Sequence, residues 1–91
     1  MSDYSQWRTM REIDGAAGTA KGAAFRRFRR LEPQLQAGRD YCVLHHADDR
    51  EAIDGLRSAR RIHAGSVNVV LLAPELASRL VAELRDPASA R

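Results

Sequence analysis

Between Gly18 and Leu31 the chain carries Lys21, Arg26, Arg27, Arg29 and Arg30 and no acid; Glu32 stands just outside. The chemistry such a run offers is recognition of phosphates and guanine edges. A guanidinium presents a planar fork of donors that suits both, and all but one of the chain's 15 cations are arginine. The net charge is +3, so with these five cations set aside the rest of the chain carries −2. The basicity is local, and a local basic patch says more about a partner than the overall charge does. A second cluster, Arg57, Arg60, Arg61 and His63, follows the third helix expected below. It reads either as a contact to flanking nucleic-acid backbone or as cations favourably placed at a helix C-terminus.

Other residue types fail to make a site. His45-His46 beside Asp48-Asp49 has the composition of a metal centre, but consecutive strand residues point to opposite faces and cannot easily share one ion. Cys42 is alone, which excludes an internal disulfide. Strand alternation also separates it from His45, so no nucleophile–base pair forms. It reads as a small buried hydrophobe. There is no glycine-rich phosphate loop, no paired-carboxylate signal and no zinc-finger spacing. The expectation is a binding module and not an enzyme, with no catalytic residue, metal or cofactor. No apolar stretch approaches the roughly 18 residues of a membrane span, and the N-terminus shows no signal-peptide apolar region. These features predict a cytoplasmic protein with no membrane partner.

The elements that must position the cations follow from periodicity and punctuation. Ninety-one residues predict one α+β domain. Thr9 caps a first helix and Glu12 completes a capping box. Met10, Ile13 and Ala17 share its inner face, and Gly18 ends it. A second helix begins at Thr19 or Ala20 and runs to about Leu31, with Ala24, Phe28 and Leu31 as a buried stripe that Phe25 widens. Gly22, Arg26, Arg29 and Arg30 then point outward, and Pro33 stops the helix. Residues 41–46 read as a strand. A third helix begins after Asp48 as cap, with Glu51 closing a second capping box. "SVNVVLLA" is a second strand, antiparallel to the first. Pro74 opens a last helix whose stripe is Leu76, Leu80, Val81 and Leu84, and Pro87 ends it. The expected order is α-α-β-α-β-α with a two-stranded antiparallel sheet. Tyr4 and Trp7 are expected to fold back onto the core.

Two short helices joined by a glycine turn, the second basic, have the layout of a helix-turn-helix. "IDGAAGTAKGAAFRRF" resembles that segment of small winged-helix regulators, the MerR-like and excisionase-like proteins of phages and mobile elements. Such proteins carry an apolar residue five before the turn glycine, here Ile13. A small or apolar residue stands six after it, here Ala24, and a large apolar one ten after it, here Phe28. The resemblance spans residues 9–31 and departs at Asp14, where a packing alanine is usual, and at Ala20, where Ser or Thr usually caps. It implies that Lys21, Gly22, Ala23 and Arg26 face DNA, with Thr19 taking over the cap. It also implies a winged helix-turn-helix fold. Residues 41–72 then form the wing, with Asn68 and the polar tip at 63–66 in it, and residues 74–85 form the closing helix.

The function expected is therefore sequence-specific binding of double-stranded DNA by a small transcriptional regulator or recombination accessory factor. Small Gly22 and Ala23 would let the helix N-terminus approach the duplex, where its dipole favours phosphate. Arg26 would reach a base edge, and Arg27, Arg29 and Arg30 would meet phosphates, with Arg60, Arg61 and His63 on the flanking backbone. The rival reading is a small phage or mobile-element protein that binds a host protein through the same basic face. One recognition helix reads few base pairs, so a homodimer through Leu76, Leu80 and Leu84 is also expected; the alternative is that this stripe closes the monomer's own hydrophobic core.

Overall fold

The computed structural model describes residues 5–85; the expectations for Tyr4 and Pro87 lie outside them. The chain runs through β1 (Arg8–Thr9), α1 (Met10–Ala17), α2 (Ala23–Leu31), a 3-10 turn (Glu32–Gln34), β2 (Tyr41–Leu44), α3 (Arg50–Ser58), β3 (Val69–Leu72) and α4 (Pro74–Arg85). The class is α+β, with a three-stranded antiparallel sheet in the order β1-β3-β2. This corrects the expected two-stranded sheet and its element order by one strand. β1 has only Arg8, opposite Leu72, and Thr9, opposite Leu71. Two residues show no periodicity, and Thr9 also serves as a helix cap.

That cap forms as the sequence predicts. The Thr9 hydroxyl accepts from Glu12 N–H at 3.1 Å, and the Glu12 carboxylate accepts from Thr9 N–H at 2.9 Å. The second expected capping box does not form. α3 starts after Asp49, not Asp48, and has no side-chain cap. The Asp49 carboxylate accepts from His45 N–H at 2.9 Å instead, which turns the chain after β2. The strand therefore ends at Leu44, and the His45 and His46 rings stack 4.7 Å apart instead of alternating across a sheet. Among the described residues no group of three or more His, Cys, Asp and Glu is placed to hold a metal ion.

β3 is the central strand, and a core lies on each of its faces. Leu72 joins Ile13, Ala24, Phe28, Leu76, Ala77 and Leu80 beneath α1, α2 and α4. Leu71 joins Leu44, Ile53, Leu56, Ile62 and Val69 on the α3 side, with Trp7 and Cys42 packed against them. Adjacent strand residues point to opposite faces, so both leucines are fully buried. A strand covered on both faces reads as an unbroken apolar run and not as an alternation, which accounts for "VVLL". The Tyr41 ring meets Phe28 edge-on at 5.1 Å between centroids, tying β2 to α2.

The stripe of α4 closes this core, the alternative to its expected use as a dimer surface. Leu80 is 0 % and Leu76 7 % exposed, and half-buried Leu84 packs on the same cluster. Glu83 reinforces the closure. Its carboxylate accepts from Arg27 of α2 at 2.6 and 2.8 Å and from Arg79 at 2.8 Å. Burial raises the Glu83 carboxyl, but bonds to Arg79 and Arg27 outweigh burial and hold it below its ordinary range. Glu12 shows the same balance: burial raises it, and Arg61 with the Thr9 N–H lowers it further. Among the described residues no helix is long and apolar enough to cross a membrane.

Leu80→Ala should cost about 2–5 kcal/mol, read from a urea midpoint by circular dichroism, with the oligomeric state unchanged by light scattering. Glu12 and Glu83 set part of the acid limb. Their contribution is fully present above the unfolded Glu value of about 4.3 and is lost as pH falls through their lower folded values. The melting temperature should hold between about pH 7 and pH 5 and drop below about pH 4.5, where the unfolded carboxyls begin to bind protons. Glu12→Gln with Glu83→Gln should make that drop shallower while lowering the melting temperature at neutral pH.

Candidate nucleic-acid interface

α2 has no capping side chain of its own, because Gly22 precedes it at φ 97°. Its cap comes from α1. Asp14 is 7 % exposed, and its carboxylate accepts from Ala24 N–H at 2.8 Å, Gly22 N–H at 3.1 Å and the Thr19 hydroxyl at 3.1 Å. α1 ends with Gly18 at φ 72° and with Thr19 N–H on the Asp14 carbonyl at 3.0 Å. Glycine adopts this left-handed geometry without a Cβ penalty. Asp14 thus holds the turn through both its main chain and its side chain, and this fixes α2 on α1. Sequence reasoning treats Asp14 as a departure because it looks for the cap next to the helix. The available signal is an acid beside inward-facing Ile13. A carboxylate buried there needs donors, and a glycine turn has N–H groups to offer.

α2 begins at Ala23, not at Thr19 or Ala20, so Thr19, Lys21 and Gly22 belong to the turn. Thr19 is half-buried on Asp14, and half-buried Ala23 donates its N–H to the Ala20 carbonyl at 3.2 Å. The Asp14 carboxylate holds the Gly22 and Ala24 N–H groups, so these are not open to the phosphate expected at the helix N-terminus. Lys21, Arg26, Arg29 and Arg30 are exposed. Arg26 lies back over the turn: a Cβ on Gly22 would stand 3.3 Å from its Nη1. Arg29 meets Glu32 at 3.1 Å with 63 % of its side chain exposed, a pair that contributes little and leaves the guanidinium usable. Arg27 is the correction on this helix. It turns away from the other cations onto Glu83 and binds α2 to α4.

The second basic cluster is divided by the structure. Arg60 is exposed at φ 60°. Its N–H reaches the Arg57 carbonyl and the Arg61 N–H reaches the Leu56 carbonyl, both near 3 Å. Arg60 therefore ends α3 in the left-handed position where glycine is usual. Arg61 turns inward, against expectation: its guanidinium donates twice to Glu12 at 3.1 Å and once to the Trp7 carbonyl, and its own carbonyl accepts from the Thr9 hydroxyl. Arg57 donates to the carbonyls of Ala64 and Ser66 and to Asp54, so it shapes the loop before β3. Half-buried His63 lies with Lys21, Gly22 and Asn68 along a groove of about 210 Å³ beside α2. The structure brings His63 to the α2 turn and leaves Arg60 and Arg61 off that groove.

Sequence reasoning misses two residues of this groove. Arg11 lines it and donates to the Ile62 carbonyl at 3.1 Å. Phe25, expected in the buried stripe, is 45 % exposed. On the helix it stands about 100° around from Ala24 and about 60° from Phe28, at the margin of the buried stripe; that position is the signal. Comparison with known proteins yields no family model, curated protein or solved structure that matches this chain significantly.

Asp14→Ala should destabilise the fold by about 2–4 kcal/mol, since bonds to a charged acceptor contribute about 1.5–3 kcal/mol and the orphaned N–H groups add to the loss. Asp14→Asn should cost less, because one acceptor oxygen remains. Urea denaturation measures both, and amide hydrogen exchange should localise the loss of protection to Gly22 and Ala24.

Proposed function

We propose that this chain binds double-stranded DNA through α2, as a small transcriptional regulator or recombination accessory factor. The observation that carries this reading is the distribution of charge on α2. Arg27 faces the core side on Glu83 of α4, while Arg26, Arg29 and Arg30 are exposed with Lys21 just before them, Arg29 beside Glu32 at the end of the helix. A surface with four exposed cations and one acid, Glu32 at its end, attracts phosphates, and releasing counterions on contact drives association.

The architecture supports a winged helix-turn-helix reading. α1 and α2 are clamped into a helix pair by Asp14. The strands before and after the pair meet in one antiparallel sheet. α3 and its loop fill the connection from β2 to β3, and the loop brings His63, Ser66 and Asn68 beside the start of the second helix, where a wing would stand. α2 has nine residues, about 13 Å of helix, enough to present one or two turns to a major groove. Its N-terminal amides are held by Asp14, so phosphate contacts fall to side chains. In this reading Arg30 and Arg29 meet the backbone, and Arg26, one turn in, reaches a base edge, where a bidentate pair with guanine gives about 1–3 kcal/mol of discrimination. Such a protein acts where DNA is exposed to it, in the cytoplasm.

Fluorescence anisotropy against duplex DNA over a salt series tests this. Affinity should fall steeply with salt, and Arg29→Ala with Arg30→Ala should make the slope of log K against log salt shallower by about 2, close to one per lost phosphate contact. Absence of duplex binding at low salt refutes the reading. Binding by the double variant equal to the parent moves the contact off this face.

A further inference from the structure

Phe25 is the one large aromatic residue of α2 left outside the core: it is 45 % exposed, while Phe28 is 2 % exposed. It is the third residue of the helix, between the Gly22 turn and Arg26. The first residues of a recognition helix are those that contact base edges. One side of its ring is held in place. It lies along the groove floored by Met10, Ile62 and Val70, and its centroid is 6.3 Å from that of Phe28. The other side faces solvent among cations. A phenyl ring has no donor or acceptor, so it cannot read the hydrogen-bonding groups that distinguish most base edges. The major groove presents one apolar group, the 5-methyl of thymine, and Phe is among the side chains that pack on it. A neutral ring set within a phosphate-attracting surface therefore has one partner in duplex DNA that suits it.

We infer that Phe25 is a specificity-determining residue that packs against the 5-methyl group of a pyrimidine, thymine in unmodified DNA, at the base step next to the one Arg26 reads. This rests on the duplex-binding reading above and adds to it a base preference and the group that sets it. The ring excludes water from the methyl, and the energy comes from apolar area removed from solvent. The contact is insensitive to salt, unlike those of Arg26 and Arg30.

The test changes the DNA before the protein. A preferred site is selected from a random duplex pool with the unaltered chain. Each thymine in it is then replaced singly by deoxyuridine, which deletes the methyl alone. One position should lose affinity by about fourfold, the factor expected for burying one methyl-sized group. Cytosine at that position should bind more weakly than 5-methylcytosine by a similar factor. Phe25→Ala should abolish both differences while leaving the salt slope unchanged; Phe25→Leu should retain part of them. Circular dichroism confirms that the variants fold. If duplex binding is present but no thymine shows methyl dependence, or if Phe25→Ala retains it, this inference is overturned and the duplex reading stands. If no duplex is bound, both fall together.

Discussion

The surface of α2 depends on one buried carboxylate. Asp14 belongs to α1, yet it accepts from two main-chain N–H groups and one hydroxyl in the turn and first residues of α2. A helix entered through glycine has no side chain to cap it, and its first N–H groups would otherwise need water. Supplying the cap from the preceding helix joins two elements with one set of bonds, so the angle between them is set by hydrogen-bond geometry as well as by apolar packing. Burying a charge is costly unless it is well hydrogen-bonded; here three donors surround it. The outward direction of Arg26, Arg29 and Arg30 follows from that angle.

The remaining ionic contacts continue the same construction. Glu83 locks α4 to α2 through Arg27, and Glu12 locks the segment after α3 to β1 and α1 through Arg61. Both acids are partly shielded from water, where a charged hydrogen bond is stronger than at an open surface. Besides the loop carbonyls held by Arg57 and Arg11, arginine has two distinct uses among the described residues. Where an acid from another element is within reach, it staples layers together; where none is, it is left to solvent or a partner. The apolar core has the same economy. With a core on each face of β3, Leu71 and Leu72 each anchor one of them, and a two-residue strand at one edge suffices because the interior is already closed.

The residues leave a reading of the surface that neither charge nor shape alone would give. Four exposed cations share the turn and helix with a ring that is half out of the core, at a groove that His63 and Asn68 also line. Charge would bring such a face to any polyanion. In the proposed reading, an apolar contact placed among the charges adds discrimination without adding to salt dependence.

Much of this was legible in the residues themselves. The four helices, the two longer strands, the Thr9–Glu12 capping box and the Gly18 stop are local events, decided by neighbours within four residues. The inner stripes of α2 and α4 were legible for the same reason. What tertiary structure decided is everything that depends on a distant partner. Arg27 and Arg30 are three residues apart and chemically identical; only the position of Glu83, 56 residues after Arg27, makes one structural and leaves the other exposed. Arg61 is distinguished from Arg60 by Glu12 in the same way. β1 exists because β3 has a free edge for it. Asp14 changes from an exception to a cap only when the turn folds back over it. The sequence determines which elements form and where charge accumulates, because those depend on short-range geometry; the fold decides which charges are consumed inside, because Coulombic and hydrogen-bond energies act over a few ångströms in space, whatever the separation along the chain.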